Sequence, residues 1–341
     1  MGQIRVLVVD DSSLARELII AILSTDKEIL IAGEASNGSE AIEKVKVLKP
    51  DIVTMDIEMP VMDGLFAIEH IMASNPVPIL VVTTRGDAHT AYAAISMGAL
   101  DLVVKPDVNI DAAGEFIDKI KLLAKIRVIT HIGGKRQVKE TRAAPKLIFD
   151  GKPSNRIVAI ASSTGGPEAL SVILSGLPER FPCPVVIAQH ISDGFVAGMV
   201  EWLKRMTRLG IKVAAEGDNL AAGMVYVSPS EKHMEISDGK RISLIARHPK
   251  DIYRPSCDVL LSSVARVYGL KGIGVVLTGM GSDGVLGMKK IKEARGVTIA
   301  QDEKTSVVFG MNKVAIDSGC VDKILPLDEI GDEVAQLAGK T

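Results

Sequence analysis

The run Ile157-Val158-Ala159-Ile160-Ala161-Ser162-Ser163-Thr164-Gly165-Gly166-Pro167-Glu168 divides into three parts. Ile157 to Ala161 is an unbroken apolar stretch, which suits a strand covered on both faces, as in a parallel sheet. Ser162 to Gly166 bring hydroxyls and glycines, the composition of a tight turn, and Pro167-Glu168 suits the start of a helix. A serine in such a turn lies beside the free N–H groups of a helix N-terminus, which can hold a phosphate or the oxyanion of a tetrahedral intermediate. Plain capping of the helix by the serines is equally compatible with the local sequence.

The strand-and-helix alternation continues outward in both directions. Downstream, strands are expected at Ile211 to Ala215, Met224 to Val227, Gly274 to Leu277 and Val297 to Ala300, besides Val185 to Gln189, with a hairpin at Glu235 to Ile245 around Asp238-Gly239. Upstream, apolar runs at Ile4 to Val9, Ile29 to Ala35, Ile52 to Met55, Ile79 to Thr83 and Leu100 to Val104 alternate with helical patterns from Ser12, Gly38, Gly64, Ala88 and Ile110. The pattern predicts an α/β fold of two doubly wound parallel-sheet domains, the first flavodoxin-like and the second Rossmann-like with the hairpin inserted. Gly133-Gly134, Pro145, Gly151 and Pro153 interrupt the rhythm, so the predicted domains are 1–124 and 157–341, joined by a linker over 125–156.

Charge follows the same division. The formal total of −2 over 341 residues separates into −9 for 1–124, +7 for 125–156 and zero for 157–341. With 47% hydrophobic and 24% charged residues the chain is ordinary globular material, which excludes a disordered or low-complexity protein. No repeat of solenoid length occurs. Cys183, Cys257 and Cys320 are too few and too scattered for a disulfide framework or a CxxC metal site. The opening Met1-Gly2-Gln3-Ile4-Arg5-Val6 lacks a signal-peptide core and no apolar run approaches a membrane span, so a soluble, cytoplasmic protein without membrane insertion is expected.

Asp10 and Asp11 follow the first strand and Asp56 closes the third, while Thr83 and Lys105 end the fourth and fifth. Three carboxylates at the carboxyl edge of an open sheet repel one another without a hard divalent cation, and Mg²⁺ accepts carboxylate and phosphate oxygens. A hydroxyl and an ammonium opposite them suit a transferred phosphoryl group. Each element alone is compatible with a cap or a turn. Together, V-V-D-D-S, T-M-D-I-E-M-P-x-M-D-G, V-T-T and V-V-K-P make residues 3 to 124 resemble the receiver domain of bacterial response regulators. The resemblance implies phosphorylation at Asp56 by a histidine kinase, Mg²⁺ held by Asp10, Asp11 and Asp56, and Thr83 and Lys105 as phosphate contacts and switch residues.

In the second half, His190 follows Val185 to Gln189, and Asp283 lies in Leu277-Thr278-Gly279-Met280-Gly281-Ser282-Asp283-Gly284 after another buried strand. Serine, histidine and aspartate at strand carboxyl ends satisfy the roles of a nucleophilic triad, although the GxSxG elbow is absent. A dinucleotide site is the rival, weakened because the turn holds Gly165-Gly166 instead of GxGxxG and strand two offers no acid for a ribose. His233 and His248 are read as surface or structural, and the Met280 side chain as core filler.

The stretches S-S-T-G-G, A-Q-H, Y-V-S-P-S-E-K-H-M-E, R-P-S-C-D-V-L, L-T-G-M-G-S-D-G and V-V-F-G-M-N-K-V-A-I make this half similar to the catalytic domain of CheB-type chemotaxis protein-glutamate methylesterases. That family places a receiver ahead of a methylesterase domain. The resemblance implies Ser163 as nucleophile, His190 as base, Asp283 as its orienter, backbone N–H groups of Thr164 and Met280 as the oxyanion hole, and no cofactor for the hydrolase. It also implies methyl-accepting chemoreceptors as substrates, demethylation of glutamate γ-methyl esters and deamidation of glutamines. The family usually reads G-A-S-T-G-G, so Ala161-Ser162 is a departure that sets a second hydroxyl beside Ser163. A monomer is expected, with an unphosphorylated receiver that restricts access to the catalytic edge and no nucleic-acid partner, since aromatic content is 3% and no helix-turn-helix follows the receiver. A non-catalytic adaptor module is the alternative of a different class.

Overall fold

Five short strands, β1 (Ile4–Val9), β2 (Ile29–Ala35), β3 (Ile52–Met55), β4 (Ile79–Thr83) and β5 (Asp101–Val104), form a parallel sheet in the order β2-β1-β3-β4-β5 in the computed structural model. Residues 2–84, 88–106, 110–126, 128, 153–248 and 251–339 are described, without the side chains of 88, 89 and 110–112. Every residue of β3 and β4 is buried, as continuous apolar runs between two helical layers require. The helices are α1 (Ser13–Leu23), α2 (Gly38–Leu48), α3 (Gly64–Ser74), α4 (Ala88–Ser96) and α5 (Ile110–Leu123). Ser12, Asn37 and Asp63 start the first three by accepting the N–H of Ala15, Glu40 and Phe66. Strand order reverses between β1 and β3, so the carboxyl ends of these two strands flank the crevice where such sheets bind ligands.

The second unit contains β6 (Ile157–Ser162), β7 (Val185–Gln189), β8 (Gly210–Val213), β9 (Met224–Val227), β12 (Gly272–Val276), β13 (Val297–Gln301) and β14 (Lys323–Leu325) in one parallel sheet, ordered β14-β13-β12-β6-β7-β9-β8. The hairpin is β10 (Lys232–Ile236) paired antiparallel with β11 (Ile242–Ala246), somewhat longer than the turn signal alone indicates. Its Met234, Ile236 and Ile242 pack with Leu260, Leu261 and Val264 of α8 (Cys257–Tyr268). The remaining helices are α6 (Gly166–Gly176), α7 (Val196–Lys204), α9 (Val285–Glu293), α10 (Met311–Asp317) and α11 (Leu327–Ala338). The chain leaves β6 toward β7 on one side and returns to β12 on the other, so the switch point of this sheet lies beside the end of β6.

Backbone contacts divide the chain into units 1–141 and 142–341. Most of the basic segment 125–156, including His131, Lys135 and Arg136, lies outside the described residues. Among the described residues no helix is long and apolar enough to cross a membrane.

Candidate active site and acidic pocket

At the β1/β3 switch point Asp10 and Asp56 are buried and Asp11 is exposed, and each of the three offers a carboxylate oxygen within 4.8 Å of the others. Lys105 reaches over them, with Nζ 2.7 Å from Asp10 Oδ2 and 2.8 Å from Asp56 Oδ2. Its own N–H donates to the Thr83 carbonyl at 2.8 Å, which ties the hydroxyl-bearing end of β4 to the ammonium-bearing end of β5. Burial lifts the Asp56 carboxyl above its ordinary value, and Lys105 offsets only part of that. Burial works against the charge on Lys105, but Asp10 and Asp56 outweigh it and hold the ammonium above the usual lysine value. An all-oxygen donor set of this spacing fits a hard divalent cation.

The second site assembles at the end of β6. Ser162 is the last residue of that strand, fully buried, and its Oγ donates to Gln189 Oε1 at 2.6 Å. Ser163 follows it out of the sheet, and its backbone N–H donates to the Thr278 carbonyl at 3.1 Å. The Gln189 amide nitrogen donates to the carbonyls of both Ser163 and His190 at 2.8 Å, clamping the ends of β6 and β7 together. Only glycine fits at 166, since a Cβ there would lie 1.9 Å from Gln189 Oε1. Gly279 is constrained similarly, because its added Cβ would meet the Ser163 Cβ at 2.6 Å, so the Gly279 backbone lies directly against the serine. The backbone N–H groups of Thr164 and Met280 donate to no protein acceptor among the described residues.

His190 leaves β7 with its Nε2 2.8 Å from Asp283 Oδ2 and its ring stacked on Tyr253 at 5.1 Å between centroids. Asp283 Oδ2 also accepts the Cys257 N–H at 2.6 Å, while Oδ1 accepts the Asp258 N–H at 2.9 Å and the Ser256 hydroxyl at 3.1 Å. The carboxylate therefore caps the N-terminus of α8 as it holds the imidazole. Asp258 returns the arrangement by accepting the Gly287 N–H at 2.8 Å in the first turn of α9. Burial opposes ionisation of Asp283, yet His190 and the N–H groups of Asp258 and Cys257 bring its carboxyl below the ordinary value. An ionised Asp283 can only accept, so Nε2 carries a ring proton, and in the neutral imidazole Nδ1 then carries the lone pair. Nδ1 makes no hydrogen bond among the described residues, and the Ser163 hydroxyl is not bonded to it in this structure.

Cys257 Sγ lies 3.5 Å from His190 Nε2, and His190, Cys257 and Asp283 bring donor atoms within 4.8 Å of one another. Burial and the Asp283 charge push this fully buried thiol well above its ordinary value. It stays a thiol, placed to donate to the Ala188 carbonyl at 3.4 Å.

Sequence reasoning anticipated neither Gln189, Ser256 and Cys257 in these roles nor the stacking of Tyr253. The A-Q-H and R-P-S-C stretches carried the first three, and only the strand-end position of Gln189 hinted at a role. One expectation is corrected: the Met280 side chain is 44% exposed and fills no core, because it stands in the loop that leaves the sheet between β12 and α9. His233, by contrast, is buried and takes the structural option.

The chain matches the CheB methylesterase model over residues 158–334 and the response regulator receiver domain model over residues 6–112. The chain belongs to the CheB methylesterase family. It is 47% identical to protein-glutamate methylesterase/protein-glutamine glutaminase 3 of Paramagnetospirillum magneticum, over 99% of this chain and 97% of that protein. A protein-glutamate methylesterase/protein-glutamine glutaminase of Pyrococcus abyssi is 39% identical over 98% of this chain and 93% of its own length. The CheB methylesterase catalytic domain of Thermotoga maritima, known from its crystal structure, is similar with a TM-score of 0.52 and 38% identity, covering 53% of this chain and 98% of that one. The departure at Ala161-Ser162 has a local reason within this CheB chain: the extra hydroxyl is spent on Gln189 inside the sheet.

Proposed function

We propose that this CheB chain is a receiver-regulated serine hydrolase acting on glutamate γ-methyl esters of methyl-accepting chemoreceptors, and on their glutamine side chains. The observation that carries this is the His190–Asp283 pair, whose Nδ1 lone pair is unengaged at the edge where Ser163 leaves β6. In the first half-reaction His190 Nδ1 takes the Ser163 proton as Oγ attacks the ester carbonyl. The Thr164 and Met280 N–H groups receive the oxyanion, and Asp283 stabilises the imidazolium. His190 then protonates the departing methoxide, releasing methanol and leaving a glutamyl ester on Ser163. Water, deprotonated by the same nitrogen, cleaves that ester to the free glutamate. A glutamine follows the same path with ammonia as leaving group.

In the receiver, Asp56 accepts the phosphoryl group from a histidine kinase, with Thr83 and Lys105 contacting its oxygens. Mg²⁺, held by Asp10, Asp11 and Asp56, would neutralise charge on the phosphoryl oxygens during transfer. The deciding experiment measures methanol release from methylated receptor. Ser163→Ala should abolish it, whereas Ser162→Ala should retain it within about tenfold at a stability loss of roughly 1–2 kcal/mol, since Gln189 Oε1 loses its donor. Loss of activity only in Ser162→Ala would overturn the assignment.

A further inference from the structure

The K-H-M-E stretch of β10 has no part in the chemistry above, yet His233 is joined to it. The His233 side chain is 7% exposed and its Nε2 lies 2.9 Å from Asp251 Oδ2. Its Nδ1 accepts the backbone N–H of Ser256 at 2.9 Å. A ring nitrogen that accepts an N–H carries the lone pair, so His233 is neutral with its proton on Nε2, donated to Asp251. Ser256 is the N-cap of α8, and its hydroxyl donates to Asp283 Oδ1. The next two N–H groups, those of Cys257 and Asp258, hold both oxygens of that carboxylate.

We infer that His233 is a positioning residue for catalysis, which through Ser256 fixes the donors that orient Asp283 toward His190. The inference rests on the assignment of His190 and Asp283 given above. The connection is continuous: Asp251 orients one imidazole, that imidazole fixes a serine backbone, the serine and its successors fix a second carboxylate, and that carboxylate orients the second imidazole. Without the Nδ1 acceptor, the Ser256 N–H is left unpaired at a partly buried position, and the peptide is free to turn toward another acceptor. The Ser256 hydroxyl and the first turn of α8 would shift with it. Asp283 would keep its charge and lose its fixed direction.

The conservative variants distinguish this from a packing role. Asparagine places its Oδ1 near the position of the His Nδ1 and can accept the Ser256 N–H, whereas glutamine resembles His in length and places its terminal group near Nε2. Methanol release from methylated receptor by the full-length protein, with circular dichroism to verify folding, should show His233→Leu reducing kcat about tenfold with KM within twofold. His233→Asn should restore kcat to within threefold of the wild type, and His233→Gln should not. Adding His233→Leu to Asp283→Asn should reduce kcat by less than twofold further, because both act through one carboxylate. Wild-type kcat in a folded His233→Leu protein, rescue by Gln in place of Asn, or full additivity with Asp283→Asn would overturn the inference. If His233→Leu cannot be purified folded, the Asn and Gln variants decide it alone. Full activity in Ser163→Ala or Asp283→Asn would instead overturn the assignment on which the inference rests.

Discussion

Replacing Asp283 by asparagine preserves shape and removes one charge at the point where the site is most tightly held. The carboxylate contacts His190 Nε2 at 2.8 Å, which sets the charge centres of an aspartate–imidazolium pair roughly 4 Å apart. With an effective dielectric of about 20, that attraction amounts to ~4 kcal/mol, present only once His190 has taken the serine proton. Converted at ~1.4 kcal/mol per decade, kcat should fall by about 10³. A second effect acts in the same direction. The amide has one acceptor oxygen, whereas Asp283 accepts on both oxygens, from His190 and Cys257 on one side and from Asp258 and Ser256 on the other. An amide that turns its NH₂ toward His190 forces the ring proton onto Nδ1 and removes the lone pair that serves Ser163. KM should change little, since the Asp283 side chain is 1% exposed and cannot touch substrate. Loss of the negative charge at the α8 N-terminus should also destabilise the fold by about 1 kcal/mol. Because the folded-state carboxyl titrates below its ordinary value, its stabilising contribution is complete above that value and is lost as pH falls through the depressed one. Asp283→Asn should flatten that acid limb in urea unfolding followed against pH. A folded Asp283→Asn enzyme releasing methanol within tenfold of the wild-type kcat would refute this reasoning.

Gly166→Ala should destabilise the protein by about 1–3 kcal/mol in urea unfolding and depress kcat, since the new methyl group collides with the Gln189 amide that clamps Ser163 and His190. Asp56→Asn should abolish acyl-phosphate formation measured with a small-molecule phosphodonor. The folded-state pKa of Asp56 is raised, so its ionised form is a liability that grows as pH rises from the ordinary carboxylate range through the raised value; Asp56→Asn should therefore slow hydrogen exchange in β1 and β3 at neutral pH. Removal of residues 1–124 should increase methanol release from receptor in the absence of phosphodonor, and an unchanged or lower rate would exclude an inhibitory receiver.

Strands and helices were legible because each uses a strong local signal. The apolar runs of β3, β4, β6 and β7 allow little else, and Ser12, Asn37 and Asp63 stand where caps are needed. Lys323–Leu325 escaped notice because three residues with a lysine at the head carry neither length nor alternation; pairing with β13 makes them a strand. Strand ends likewise singled out Asp10, Asp56 and His190 as candidates, since a polar residue terminating an apolar run is locally anomalous, whereas Asp283 lies within the loop between β12 and α9. Gln189 and Ser256 have no such prominence. Their roles arise from partners distant in the chain, 26 residues for Gln189 and Ser163 and 27 for Ser256 and Asp283, and no local pattern encodes them. His233 was ambiguous for the same reason: burial of an imidazole depends on Asp251 and the Ser256 N–H, both supplied by tertiary structure.

The orientation of the His190 ring has a mechanical consequence. Because Asp283 engages Nε2, the nitrogen to which the proposed mechanism gives the serine proton is the one adjacent to the side-chain stem. For a given swing about the Cα–Cβ bond this nitrogen travels a shorter arc than the distal one, and its stem begins at a backbone N–H fastened to the Ser162 carbonyl at 2.9 Å. The longer lever arm ends at Asp283, where a carboxylate moored by three donors arrests it. Rotation about the Cα–Cβ bond is thus restrained at the distal nitrogen, where it would displace the ring most, and the proximal nitrogen is held along with it.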